Sequence, residues 1–192
     1  MRTAPTRVAP ALLLLVGLFA SPGQAEPMDQ RYAALDIEPR READGRWVFQ
    51  LQPALALAQR QHKNIYLLLT AHDCGFCQRY ERFLNANAQQ LAPVLRQQHV
   101  LVVLRASLAA QGNAVQFEAY GKTWPYQAFQ YLLGDERQRR LQYPVVWQLS
   151  PQLRLLQQLP YGTGTLETVA DQVEIWSDIP AAAAPPLSTG SD

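Results

Sequence analysis

Apolar positions in this chain alternate between continuous runs and spaced stripes. Ile65-Tyr66-Leu67-Leu68-Leu69 and Val100-Leu101-Val102-Val103-Leu104 are unbroken, the pattern of strands covered on both faces. Between them, Phe76, Tyr80, Phe83 and Leu84 recur at spacings of three and four, which predicts a helix burying a single stripe. A further helical piece is expected over about 87–98, with Pro93 near a turn or kink. Upstream, Trp47 to Leu51 predicts a short first strand, and Pro53 opens the apolar segment Ala54 to Ala58. Proline's missing N–H does no harm at a helix start. His62-Lys63-Asn64 closes that helix, with Asn64 expected as its left-handed cap.

Downstream, Tyr143-Pro144-Val145-Val146-Trp147-Gln148-Leu149 and Leu153 to Leu159 predict two strands around Ser150-Pro151-Gln152. So short a connection makes them an antiparallel hairpin. Gly162 and Gly164 punctuate, and Leu166 to Trp176 predicts a last amphipathic helix capped by Thr165. Strands alternating with helices in this way predict an α/β fold, a sheet with helices on both faces. Residues 107–142 are less regular. Ala114 to Tyr120 and Tyr126 to Leu133 are expected to be helical, and Phe117, Tyr120, Trp124, Tyr126, Phe129 and Tyr131 crowd the segment. Two readings stand: a helical insertion packing its own core, or a lid or partner surface.

Length and composition narrow the organisation. At 192 residues, 48% hydrophobic and 17% charged, the chain suits one well-filled domain. A net charge of +1 provides no field for nucleic acid, so no nucleic-acid partner is expected. Arg2 and Arg7 precede the apolar run Val8 to Ala20, and Ser21-Pro22-Gly23-Gln24-Ala25 ends in small residues. This predicts a signal peptide over 1–25, cleaved after Ala25, and an exported chain, periplasmic for a bacterial source. An uncleaved anchor is the alternative. Residues 26–44 are expected as an extended or partly disordered lead-in, 45–178 as the main domain, and 179–192, rich in Ala, Pro and Ser, as a disordered tail.

The chemistry concentrates in Cys74-Gly75-Phe76-Cys77, which contains both cysteines of the chain. The apolar strand breaks over Thr70 to Asp73, and the first cysteine then opens a helix. Unpaired N–H groups of a first helical turn carry partial positive charge and favour a thiolate over a thiol. Cys74 is therefore expected to be the reactive sulfur and Cys77 the one that closes a disulfide with it. No cofactor beyond that redox-active pair is expected. His72, as imidazolium, would offset Asp73 and lower the thiol pKa, or shuttle protons; the plainer reading is an exposed loop histidine. Asp73 itself, beside the thiolate, would oppose its formation. A metal site is not expected, because His62 and His99, the other histidines, fall at the far ends of neighbouring elements.

Strand, short turn, Cys-x-x-Cys, helix, the Tyr143-Pro144 strand head, the hairpin and the last helix together resemble the thioredoxin superfamily, over roughly 47–177. The Cys-Gly-aromatic-Cys centre is similar to that of periplasmic, Dsb-type thiol:disulfide interchange proteins. That resemblance implies a thioredoxin-like fold, a central mixed sheet with helices on both faces, which residues 107–142 are expected to interrupt as a helical insertion before the Pro144 strand. It implies a cis bond before Pro144 that lies against the cysteines, with Tyr143, Pro144, Gly75 and Phe76 meeting the substrate. Phe76 either tunes the pair or packs beside the sulfurs. Where the family often buries an acid six residues before the first cysteine, this chain has Leu68, and Asp73 replaces the usual Trp. The implied activity is thiol–disulfide oxidoreduction, reductase- or isomerase-like rather than strongly oxidising. Clients would be proteins with thiols or disulfides, and a membrane redox partner would recharge the pair. The contrasting reading is a partner-binding or chaperone module whose thiols are incidental.

Overall fold

The computed structural model describes residues 26–135, 139–159, 168–179 and 182. The expected signal peptide, Gly162, Gly164, Thr165, Leu166 and nearly all of the expected tail lie outside these residues.

The segment expected as a loose lead-in is built into the fold. Asp29 caps a 3-10 turn, Gln30–Tyr32, by accepting the Arg31 N–H. Strands β1 (Leu35–Ile37) and β2 (Arg40–Arg41) follow. Three residues of Leu-Asp-Ile carry too little apolar pattern to announce a strand, and pairing with a distant partner supplies what the local sequence lacks. Strand β3 (Trp47–Gln50) leads into helix α1 (Gln52–Gln61), with Pro53 in its first turn. His62, not Asn64, takes the left-handed conformation that ends α1, with φ 52°. Asn64 instead begins β4 (Asn64–Ala71), in which every residue is buried.

Helix α2 (Gly75–Ala86) starts at the cysteine motif, and α3 (Ala88–Gln98) runs on through Pro93. Strand β5 (His99–Ala106) follows at once. The next segment is not purely helical. Val115–Ala119 is strand β6, because Val115, Phe117 and Ala119 point one way into the core while Glu118 is only half-buried. Tyr120 and Gly121, both at positive φ, turn it back into β7 (Lys122–Pro125). Only α4 (Tyr126–Leu132) is a helix of the expected kind. Strands β8 (Val145–Leu149) and β9 (Leu155–Leu159) form the anticipated hairpin. Helix α5 (Val169–Ser177) is capped by Thr168, whose hydroxyl accepts the Asp171 N–H.

The architecture is mixed α/β. One sheet has the order β1-β5-β4-β8-β9 and a second the order β2-β3-β6-β7, each with parallel and antiparallel pairs. In the larger sheet β4 is central, parallel to β5 and antiparallel to β8. Its alternate residues feed two cores. Ile65, Leu67 and Leu69 pack with Ala54, Leu55 and Ala58 of α1, Phe49 and Phe117 of the small sheet, and Trp147. Tyr66 and Leu68 pack with Tyr80 and Leu84 of α2, Leu91 and Leu95 of α3, and Trp176 of α5. Both cysteines belong to the first core. Among the described residues, no helix is long and apolar enough to cross a membrane.

Candidate functional site

Strand β4 ends at Ala71, and the turn His72-Asp73 delivers Cys74 to the N-cap of α2. There the Cys77 N–H donates to Cys74 Sγ at 3.2 Å. An N-cap position leaves the following N–H groups free to meet an acceptor, and a sulfur fills the place usually taken by a hydroxyl or carboxylate. Cys74 and Cys77 are joined as a disulfide, with Cα atoms 5.2 Å apart. Both residues are buried, Cys74 to 3% exposure and Cys77 to 1%. The cover is thin on one side. A Cβ at Gly75 would meet nothing within 4 Å, so the backbone next to Cys74 opens onto solvent.

Tyr143-Pro144, the other half of the expected site, is brought beside the pair. The bond between them is cis, and the Tyr143 carbonyl oxygen lies 3.8 Å from Cys74 Sγ. Tyr143 is itself buried, its hydroxyl donating to the Ala110 carbonyl at 2.7 Å. Burial, then the neighbouring Tyr126 and Asp73, push that phenol above its ordinary pKa. Phe76 does not join the α2 stripe with Tyr80 and Leu84. It is 58% exposed, with the Arg79 guanidinium 4.9 Å over its ring. Packing beside the sulfurs is therefore not its role; the first turn of α2 presents it to solvent.

His72 and Asp73 are committed to a neighbouring loop rather than turned toward the sulfurs. The His72 N–H and ring Nδ1 lie 3.1 and 2.7 Å from the Ala106 carbonyl, so Nδ1 carries the proton and donates. Asp73 accepts from the Leu108 N–H at 2.7 Å and the Ser107 hydroxyl at 3.1 Å. Burial pushes its carboxyl up, but the bonds from Leu108 and Ser107 outweigh it and hold the pKa below the ordinary carboxylate value. Nothing in the pattern of Ser107–Ala110 itself marks that loop as part of the site. A signal existed elsewhere: β5 is the parallel neighbour of β4, so the loop after β5 must emerge beside the loop that carries the cysteines.

A buried acid does occur near the motif, though not at Leu68, which packs in the second core. Glu81, one turn after Cys77 on α2, is 1% exposed and accepts from Thr70 Oγ1 at 2.7 Å and from Arg105 at 3.2 Å. Its two oxygens are thus engaged away from the sulfurs. No group of three or more His, Cys, Asp or Glu positioned to hold a metal occurs among the described residues. His99 packs against Tyr66 in the second core.

Chemically, the arrangement offers two sulfurs within bonding reach, a backbone carbonyl beside them and an open flank at Gly75. Comparison with known protein families, curated proteins and solved structures finds no match for this chain.

Proposed function

We propose that the chain is an exported thiol–disulfide oxidoreductase with a thioredoxin-like fold, acting on protein clients through Cys74 and Cys77. The observation that carries this reading is the disulfide at the N-cap of α2, set 3.8 Å from the carbonyl of the Tyr143-Pro144 turn. In the reducing direction, the Cys74 thiolate attacks one sulfur of a client disulfide. The client S–S bond breaks, its second sulfur leaves as a thiolate, and a mixed disulfide forms. Cys77, having lost its proton to solvent, attacks Cys74 Sγ and releases the first client sulfur. Two electrons have moved to the client, and the Cys74–Cys77 bond is restored. Run backwards, the same steps oxidise a client dithiol. An extended client segment lying along Tyr143 and over Gly75 fits the narrow approach to a buried nucleophile. Reduction or isomerisation is the favoured direction, with a membrane redox partner recharging the pair after export and cleavage at Ala25.

The test is insulin reduction with dithiothreitol. Wild type is expected to accelerate it and Cys74→Ala to abolish the acceleration, while Cys77→Ser accumulates a mixed disulfide that a thiol reductant releases. A wild type no faster than Cys74→Ala would overturn the proposal. The second reading, a binding module with incidental thiols, draws on a depression of about 460 Å³ lined by Trp124, Ala128, Tyr131 and Leu132, none of them a motif residue. Most of the aromatic segment, however, is core: Phe117, Tyr126 and Phe129 are fully buried against Trp147.

A further inference from the structure

Building on the redox reading, we propose that Asp73 is a positioning residue, acting on Cys74 through the Ser107–Ala110 loop rather than through its charge. The segment Ala106 to Ala110 is hydrogen-bonded to both halves of the site. On the cysteine side, Ala106 accepts twice from His72, and Ser107 and Leu108 donate to the two carboxylate oxygens of Asp73. On the proline side, Ala110 accepts from the Tyr143 hydroxyl. Cys74 follows Asp73 directly, and Tyr143 presents its carbonyl to Cys74 Sγ. The loop is therefore a brace between the nucleophile turn and the turn that meets the substrate. Asp73, the residue next to Cys74, supplies two of these bonds. The His72 carbonyl is also tied, accepting from Gln78 of α2 at 2.8 Å, so the turn is held from the helix side as well.

Charge and brace make opposite claims about the same side chain. A free carboxylate beside Cys74 disfavours the thiolate, so by charge alone any neutral replacement activates the sulfur. As a brace, the carboxylate matters for its acceptor oxygens. Asparagine keeps an oxygen for the Leu108 N–H, whereas alanine keeps none. Misplacing a nucleophile by about an ångström costs up to about a hundredfold in rate.

The experiment uses the reduced full chain and hydroxyethyl disulfide as a small neutral probe, with the Cys74 thiolate titrated by its ultraviolet absorbance. Asp73→Ala is expected to slow attack about tenfold or more at matched thiolate fraction, and Asp73→Asn to recover most of that loss. Both variants lower the titration midpoint alike, because both remove the charge. Ser107→Ala, which leaves Asp73 in place, is expected to slow attack by a smaller factor and stands in should Asp73→Ala not fold. Equal rates in the alanine and asparagine variants, or an unchanged rate in Ser107→Ala, would overturn the brace. A wild type that attacks hydroxyethyl disulfide but leaves insulin untouched counts against protein clients alone, and the alanine–asparagine split still decides the role of Asp73.

Discussion

His99 sits where burial disfavours a positive charge. It opens β5 with its ring edge-on to Tyr66, centroids 6.2 Å apart, and is 1% exposed. Burial lowers its pKa from 6.5 to about 4, opposed only in part by Gln148 and the Leu95 backbone. The sign follows from linkage. The unfolded chain takes up this proton as pH falls below about 6.5, and the folded chain does not until about 4, so stability is lost across that window and levels off beneath it. The loss amounts to about 3 kcal/mol by pH 4. Urea unfolding midpoints at neutral pH and near pH 4.5 are expected to differ for wild type, and His99→Phe to flatten the difference; an equal slope in the variant would assign the acid sensitivity elsewhere. Individual residues also mark how far sequence alone reaches. Cys74 and Cys77 are legible because two thiols one helical turn apart, at a strand-to-helix junction, are within bonding reach whatever the rest of the chain does. The commitments of Asp73 and His72 are not, since both depend on which loop lies alongside, and that is decided by the pairing of β4 with β5.

Helix α2 is fastened to the sheet by a polar contact as well as by its stripe. Glu81 meets Thr70 of β4 and Arg105 of β5, and Arg105 also pairs with Asp36 of β1. The Glu81 side chain is 2% exposed and that of Arg105 15%, so the pair is largely withdrawn from water. Removing one partner of a buried pair strands the other charge, at a cost of about 3–5 kcal/mol. Arg105→Ala is accordingly expected to lower stability by that order. Arg105→Met combined with Glu81→Met is expected to cost much less, because the one charge left without its partner, Asp36, is exposed. Denaturant midpoints of the two variants check this, and an equal loss in both would show that the charges contribute nothing specific. From sequence, Glu81 sits between Tyr80 and Arg82 and looks like any solvated helix position. Its burial arises because the ends of β4 and β5 meet α2 there. Strands β4, β5 and β8 are legible because each is built on a continuous apolar run, Ile65 to Leu69, Val100 to Leu104 and Val145 to Trp147. Strand β6 reads as helix because five residues are too few to separate a period of two from one of 3.6, and its parallel partner β3 lies far back in the chain.

At the scale of the whole molecule, the stretch least visible in the sequence does two jobs. Strand β1 covers the outer edge of β5 in parallel register, Leu35 opposite Val102. The turn before it reaches across to the helices on one face. The Tyr32 hydroxyl donates to the Leu84 carbonyl at 2.8 Å, Asn85 accepts from the Asp29 N–H at 2.8 Å, and Arg96 donates to the Arg31 carbonyl at 3.3 Å. Tyr32 is 1% exposed and belongs to the second core. The segment thus behaves as a strap that closes an edge and fills a gap, and its two functions separate by experiment. Tyr32→Ala keeps the strand and empties the gap, so it is expected to lose about 3 kcal/mol while association stays that of wild type. Deleting 26–37 also uncovers the hydrogen-bonding edge of β5, and an open apolar edge invites pairing with another chain. Sedimentation at rising concentration is expected to show more association of the deleted form than of wild type, and no more of Tyr32→Ala than of wild type. A deleted form that melts and sediments like the full chain would mean that β5 needs no cover and that the strap is decoration.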